Sequence, residues 1–146
     1  MGKWNGVRRT LVALGSATLL ALPVTAAQAP RGLTALARLQ PGQWQLRDLD
    51  GGGAPQSICV ADPNLLMQVQ HRTSPCSRLV IANDSQAATV HYTCPATGFG
   101  RTSLRVETPR LAKIDTQGIS DNAPFAYRLE ARRTGDCAGG RRAGMR

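Results

Sequence analysis

Apolar and polar residues alternate along much of this chain, and the alternation predicts strands. In "GQWQLRDLD", Trp44, Leu46 and Asp48 share one face against Gln45 and Arg47. "QSICVA" is a second short strand beyond the loop "GGGAP". "SRLVIAN" and "AATVHYT" are β-rich runs around the turn-forming "NDSQ". "RTSLRVE" aligns Thr102, Leu104 and Val106, "AKIDTQG" aligns Ile114, Thr116 and Gly118, and "FAYRLEAR" aligns Phe125, Tyr127, Leu129 and Ala131. The turns "TPR" and "SDNAP" separate these three runs. The period changes in "DPNLLMQVQHR", where Leu65, Leu66 and Val69 share a face at helical spacing. Asp62 can cap this segment, and Pro63 suits its first turn. Met67 and His71 are i, i+4 neighbours, with His71 read as a solvated residue at the helix end. "LTALARL" is a shorter helical run before Pro41. The pattern predicts an α+β fold, mainly β: an antiparallel meander of about seven short strands, curled or partly closed into a barrel, with one helix after the second strand.

Charge refines the register. Folding the runs about Arg110 sets Arg105 against Asp115, Glu107 against Lys113 and Val106 against Ile114. A shift that opposes Arg105 and Lys113 is disfavoured, because like charges directly across a sheet repel. Folding about Asp121-Asn122 sets Asp115 against Arg128, Lys113 against Glu130 and Ile114 against Leu129, with Gly118 beneath Phe125.

The first 29 residues have another logic. "MGKWNGVRR" is basic, "TLVALGSATLLAL" is a 13-residue run without charge, and "PVTAAQA" supplies small residues. This order reads as a secretory signal peptide over residues 1–27. The run falls short of the ~20 apolar residues of a spanning helix. The expected product is a soluble periplasmic protein exported by the general secretory route. Its single domain covers residues 28–137, and a disordered Gly- and Arg-rich tail covers residues 138–146.

Cys59, Cys76, Cys94 and Cys137 all follow the signal, and an even number in an exported domain reads as two disulfides. Their gaps of 17, 18 and 43 residues do not make the close ligand pairs of a zinc site. His91 beside an oxidised Cys94 offers no catalytic thiol. A hairpin about Ser85 brings Cys76 level with Cys94. In a meander, Cys94 ends its strand at the bottom and Cys137 ends the last strand at the top. Bridging those two would span roughly 20 Å, beyond the reach of a disulfide. The expected pairs are therefore Cys76–Cys94 and Cys59–Cys137.

The whole chain carries +9. Three of its 18 cations lie in the signal and three in the tail, so 12 cations face nine acids in residues 28–137, a balance of +3. With the expected cross-strand pairs and only five aromatics, this points away from a nucleic-acid partner.

The order of "LQPGQW", "ICVADP" with its following helix, "SPC…HYTC" and "RTGDC" resembles a group of proteobacterial exported proteins known as domain of unknown function 3617. The resemblance covers about residues 36–137. It departs where family members commonly have an acid after the Trp and a Thr-Pro-Glu-like helix start; here stand Gln45 and Ala61-Asp62-Pro63. It implies a periplasmic location and supplies no activity, ligand or catalytic residue.

No GxSxG, P-loop, HExxH or EF-hand pattern occurs, so no catalytic residue, metal ligand or cofactor is assigned. "GFGRTS" reads as a loop between strands, and the Asp48/Asp50 pair as a strand-end turn before "GGG". The expected role is a non-catalytic module of the cell envelope that binds a small ligand or an envelope protein. The alternatives are a small enzyme with a scattered site, or an inhibitor of a secreted enzyme. A dry, filled interior would favour protein docking or inhibition, an apolar cavity a ligand, and a polar cleft an enzyme.

Overall fold

A computed structural model describes residues 32–138; the signal segment 1–27 and nearly all of the tail lie outside the described residues. Seven antiparallel strands form one unclosed sheet: β1 (Gly42–Asp48), β2 (Gln56–Val60), β3 (Ser77–Asn83), β4 (Ala87–Cys94), β5 (Gly98–Thr108), β6 (Leu111–Ser120) and β7 (Ala123–Gly135). Their order is β2-β1-β7-β6-β5-β4-β3. The meander from β3 to β7 is as expected, and the β1–β2 hairpin extends it beyond β7.

Alternation puts one row of side chains from each strand on an inner face. Trp44, Leu46, Ile58, Val60, Val90, Tyr92, Leu104, Val106, Ile114 and Ala131 are buried there. Two 3₁₀ segments, η1 (Ala35–Arg38) and η2 (Pro63–His71), cover this face and contribute Leu36, Leu66 and Met67. Trp44 is fully buried, and its indole Nε1–H donates to the Gln40 carbonyl at 3.1 Å. Thr102 and Thr116 are the buried polar pair of the sheet, with hydroxyls 2.7 Å apart. A hydrogen bond of this kind contributes about 1 kcal/mol net.

Both disulfides join the expected partners. Cys76–Cys94 has a Cα–Cα separation of 4.2 Å and Cys59–Cys137 one of 5.4 Å. The β6–β7 register also matches expectation: Asp115 opposes Arg128, Lys113 opposes Glu130, Ile114 opposes Leu129 and Gly118 opposes Phe125. Its two-residue turn, Asp121-Asn122, has φ of 50° and 64°. Two left-handed residues give a turn whose twist matches that of the flanking strands, so the register is fixed locally.

Four expectations need correction. In β5–β6, Leu104 opposes Ile114, Val106 opposes Ala112 and Arg105 faces Lys113 directly. The turn closes at Thr108–Leu111 rather than about Arg110, and this together with a bulge between Val106 and Thr108 makes the two-residue shift. Charge pairs worth ~0.2–1 kcal/mol give way to the packing of Leu104 on Ile114 and the Thr102–Thr116 bond. Second, the expected helix after β2 is present, but its form is 3₁₀ and it is interrupted at Gln68, where φ is −141° and ψ is 47°. Its cap is as expected, since the Asp62 carboxylate accepts the Asn64 N–H at 2.9 Å. Third, the break at Gln68 is followed by a His71 that lies inward and buried rather than solvated. Fourth, "GFGRTS" is not a loop but the start of β5. Its glycines make room: a Cβ on Gly100 would sit 2.5 Å from the Tyr92 hydroxyl oxygen.

Candidate functional site: the open β3 edge

The inner face carries a polar seam that runs toward β3. Arg78 donates through Nε and Nη2 to Gln68 Oε1, and through Nη2 to the Asn64 carbonyl at 3.1 Å. The Gln68 amide donates to the carbonyls of His71 and Ser74 at 3.0 and 3.2 Å. His71 Nε2 lies 3.1 Å from the Thr97 carbonyl, and its Nδ1 lies 3.3 Å from the Tyr92 hydroxyl. The carbonyl requires Nε2–H as donor, so in the neutral ring Nδ1 accepts from Tyr92. Burial pushes the Tyr92 phenol up from its ordinary value, and a hydrogen bond with Thr116 opposes this. Gln68, His71 and Tyr92 are buried with their polar side-chain atoms satisfied, whereas Arg78, at the β3 end of the seam, is exposed. The seam offers no reacting position and serves to anchor η2 against the sheet.

The other candidates separate. Asp48 Oδ1 accepts the Asp50 N–H at 2.9 Å, while Asp50 ion-pairs with Arg128, so the two acids do not act together. His91 and Cys94 lie on opposite faces of β4; His91 stacks on Phe99 with centroids 6.0 Å apart, and Cys94 is bonded to Cys76. Among the described residues, no three His, Cys, Asp or Glu side chains converge to hold a metal. Hollows of about 200–400 Å³ lie open at the surface. The hollow of about 340 Å³ lies over Ala87, Thr89 and Ser103, between Leu49 and the cations Arg105, Lys113 and Arg128.

The most unusual surface is β3. All seven of its residues are exposed. Leu79, Val80 and Ile81 are 64, 51 and 50% accessible, which is far from the core role their sequence suggests. Leu79 opposes His91 on the outer face, and beyond His91 lies Phe99, itself 45% accessible. An apolar strip thus runs from the sheet edge across β4 to β5. Sequence reading placed β3 correctly but assigned it no function. Its apolar residues look the same in a central strand and an edge strand, and only the strand order separates the two.

The backbone of β3 is anchored at both ends. The Cys76–Cys94 bridge holds one end. At the other, the Asn83 side chain accepts from Thr34 N–H at 2.7 Å and donates to the Gly32 carbonyl at 3.3 Å. A bulge falls between Val80 and Ala82. The middle, from Arg78 to Ile81, pairs with β4 on one side and with no strand among the described residues on the other.

Comparison with known proteins brings no match to a family model, a curated protein or a solved structure. Two disulfides fit an oxidising, extracellular or periplasmic setting. No helix among the described residues is long and apolar enough to cross a membrane.

Proposed function

We propose that this protein is a non-catalytic, periplasmic binding module of the cell envelope that docks another polypeptide along β3. The signal-like leader and the landmarks shared with domain of unknown function 3617 support the location. One observation carries the docking role: an edge strand whose every residue is exposed and whose middle is apolar. Such an edge is a template for an added strand; the guards it carries are the charge of Arg78 and the bulge between Val80 and Ala82, with Leu79 and Val80 exposed between them. The interior is filled by Trp44, Tyr92, Leu66 and Met67, which favours a surface role over an enclosed ligand.

The test is site-specific photo-crosslinking in the periplasm, with the probe at Leu79 or, on the opposite edge, at Gln56. Discrete protein adducts from Leu79, absent at Gln56 and lost in Val80→Pro, are expected. Identical adducts from both positions would contradict the docking role.

A further inference from the structure

Resting on the docking role proposed for β3, we infer that its partner is an extended segment of another protein with an apolar–apolar–acidic run, laid antiparallel along Ser77–Ile81, and not a second copy of this chain.

The ladder fixes which backbone groups are open. The 4.2 Å Cα separation of Cys76 and Cys94 is that of a non-hydrogen-bonded antiparallel pair, ordinarily about 4.5 Å. Pairs alternate along the ladder, so Arg78–Tyr92 and Val80–Val90 are also non-hydrogen-bonded. The turn end agrees: Asp84 N–H donates to the Ala87 carbonyl at 3.0 Å, and counting back through the bulge gives the same alternation. The N–H and C=O groups of Arg78 and Val80 therefore point away from β4, into solvent. An antiparallel strand can take four hydrogen bonds from these two residues.

Arg78 selects the partner's charge. Its side chain lies on the inner side of β3, opposite Tyr92. Desolvation pushes its guanidinium below the ordinary arginine value, opposed by the charge of the Asp62 carboxylate. Nε and Nη2 are used by Gln68 and Asn64, and Nη1 has no protein acceptor among the described residues. No carboxylate among the described residues lies within 4 Å of it. An Asp or Glu directly opposite Arg78 would meet those free donors. The next partner residue, opposite Leu79, falls on the outer face beside Leu79 and the His91–Phe99 stack. The one after that faces Val80. Read in its own direction, the partner strand is apolar, apolar, acidic.

The same geometry rejects a second copy. Pairing two β3 strands about Leu79 matches the open groups but sets the two Arg78 side chains on one diagonal, about 7–8 Å apart. Pairing about Arg78 opposes them directly. Pairing about Val80 sets Arg78 against Ala82, whose backbone groups face β4. Each twofold register either repels or leaves Arg78 unpaired.

The experiment titrates the full mature protein with short peptides centred on Val-Leu-Glu, Val-Leu-Lys or the reversed order Glu-Leu-Val, all flanked by threonines. Val-Leu-Glu should bind at least about tenfold more tightly than Val-Leu-Lys, the size expected of one charge-assisted contact. Methylating the valine nitrogen of the peptide should abolish binding without touching the protein. Val80→Pro should also abolish it while leaving thermal unfolding unchanged, because the lost N–H makes no bond within the sheet. Equal binding of the Glu and Lys peptides, lost in Val80→Pro, would overturn the acidic partner and leave the docking edge standing. Binding indifferent to Val80→Pro and to the methylated peptide would overturn the edge itself. Failure of every peptide, or a dimer in sedimentation that Val80→Pro dissolves, would overturn the inference.

Discussion

β2 and β3 are the two edges of one sheet, yet they meet solvent with different chemistry. β2 has five residues, and its apolar members Ile58 and Val60 are buried. What it exposes is Gln56, Ser57 and the bridged Cys59. The Cys59–Cys137 bridge ties it, across β1, to the chain leaving β7. β3 exposes Leu79, Val80 and Ile81, and its own bridge only joins it to its hairpin partner. Charge follows the same division. Glu130 on β7 collects Arg47 of β1, Lys113 of β6 and Arg132, whereas no ion pair among the described residues involves β3 or β4. One edge is closed off, and the other is held in place but left bare.

The largest expected effect comes from unlocking the closed edge. The Cys59–Cys137 bridge closes a separation of 78 residues, and Cys59→Ser with Cys137→Ser should lower unfolding free energy by about 4 kcal/mol in the chain-entropy account. Chemical denaturation measures this. Cys76→Ser with Cys94→Ser closes a separation of only 18 and should cost less, about 3 kcal/mol. A reversed order of the two would show that β3, not β2, is the locked edge.

A smaller effect tests the charge division. The hydrogen bond from Lys113, helped by Arg47 and Arg132, holds the Glu130 carboxyl down to about 2 from an ordinary 4.5. Folding depresses this pKa, so the contribution is complete above about 4.5 and fades as pH falls through about 2. The pairs are solvent-accessible, so Glu130→Gln should lose at most about 1 kcal/mol at neutral pH. The difference from the native protein should vanish at the acid end, as followed by thermal unfolding across pH. The smallest effect belongs to the bare edge: Leu79→Glu should stay within about 0.5 kcal/mol in the same assay.

The sequence showed the strands, both disulfides and the β6–β7 register, because these rest on alternation and on a turn whose residues, Asp121 and Asn122, tolerate left-handed backbone. It misplaced β5–β6 by weighting charge pairs around Arg105 above packing, and nothing local announced the bulge after Val106. It put His71 in solvent because the break at Gln68 has no glycine or proline to mark it. The docking edge was illegible for a different reason. Leu79, Val80 and Ile81 have the composition of a buried strand, and β3 becomes an edge only because the β1–β2 hairpin joins the sheet beside β7 rather than beside β3.

Hydrogen exchange of individual β3 amides in the mature protein tests the open edge most directly. The account predicts alternation: Ser77 and Leu79 amides are protected by β4, whereas Arg78 and Val80 amides exchange at rates close to those of an unstructured chain. Protection of Arg78 and Val80 equal to that of Leu79 would mean that the edge is already covered, and would contradict the account.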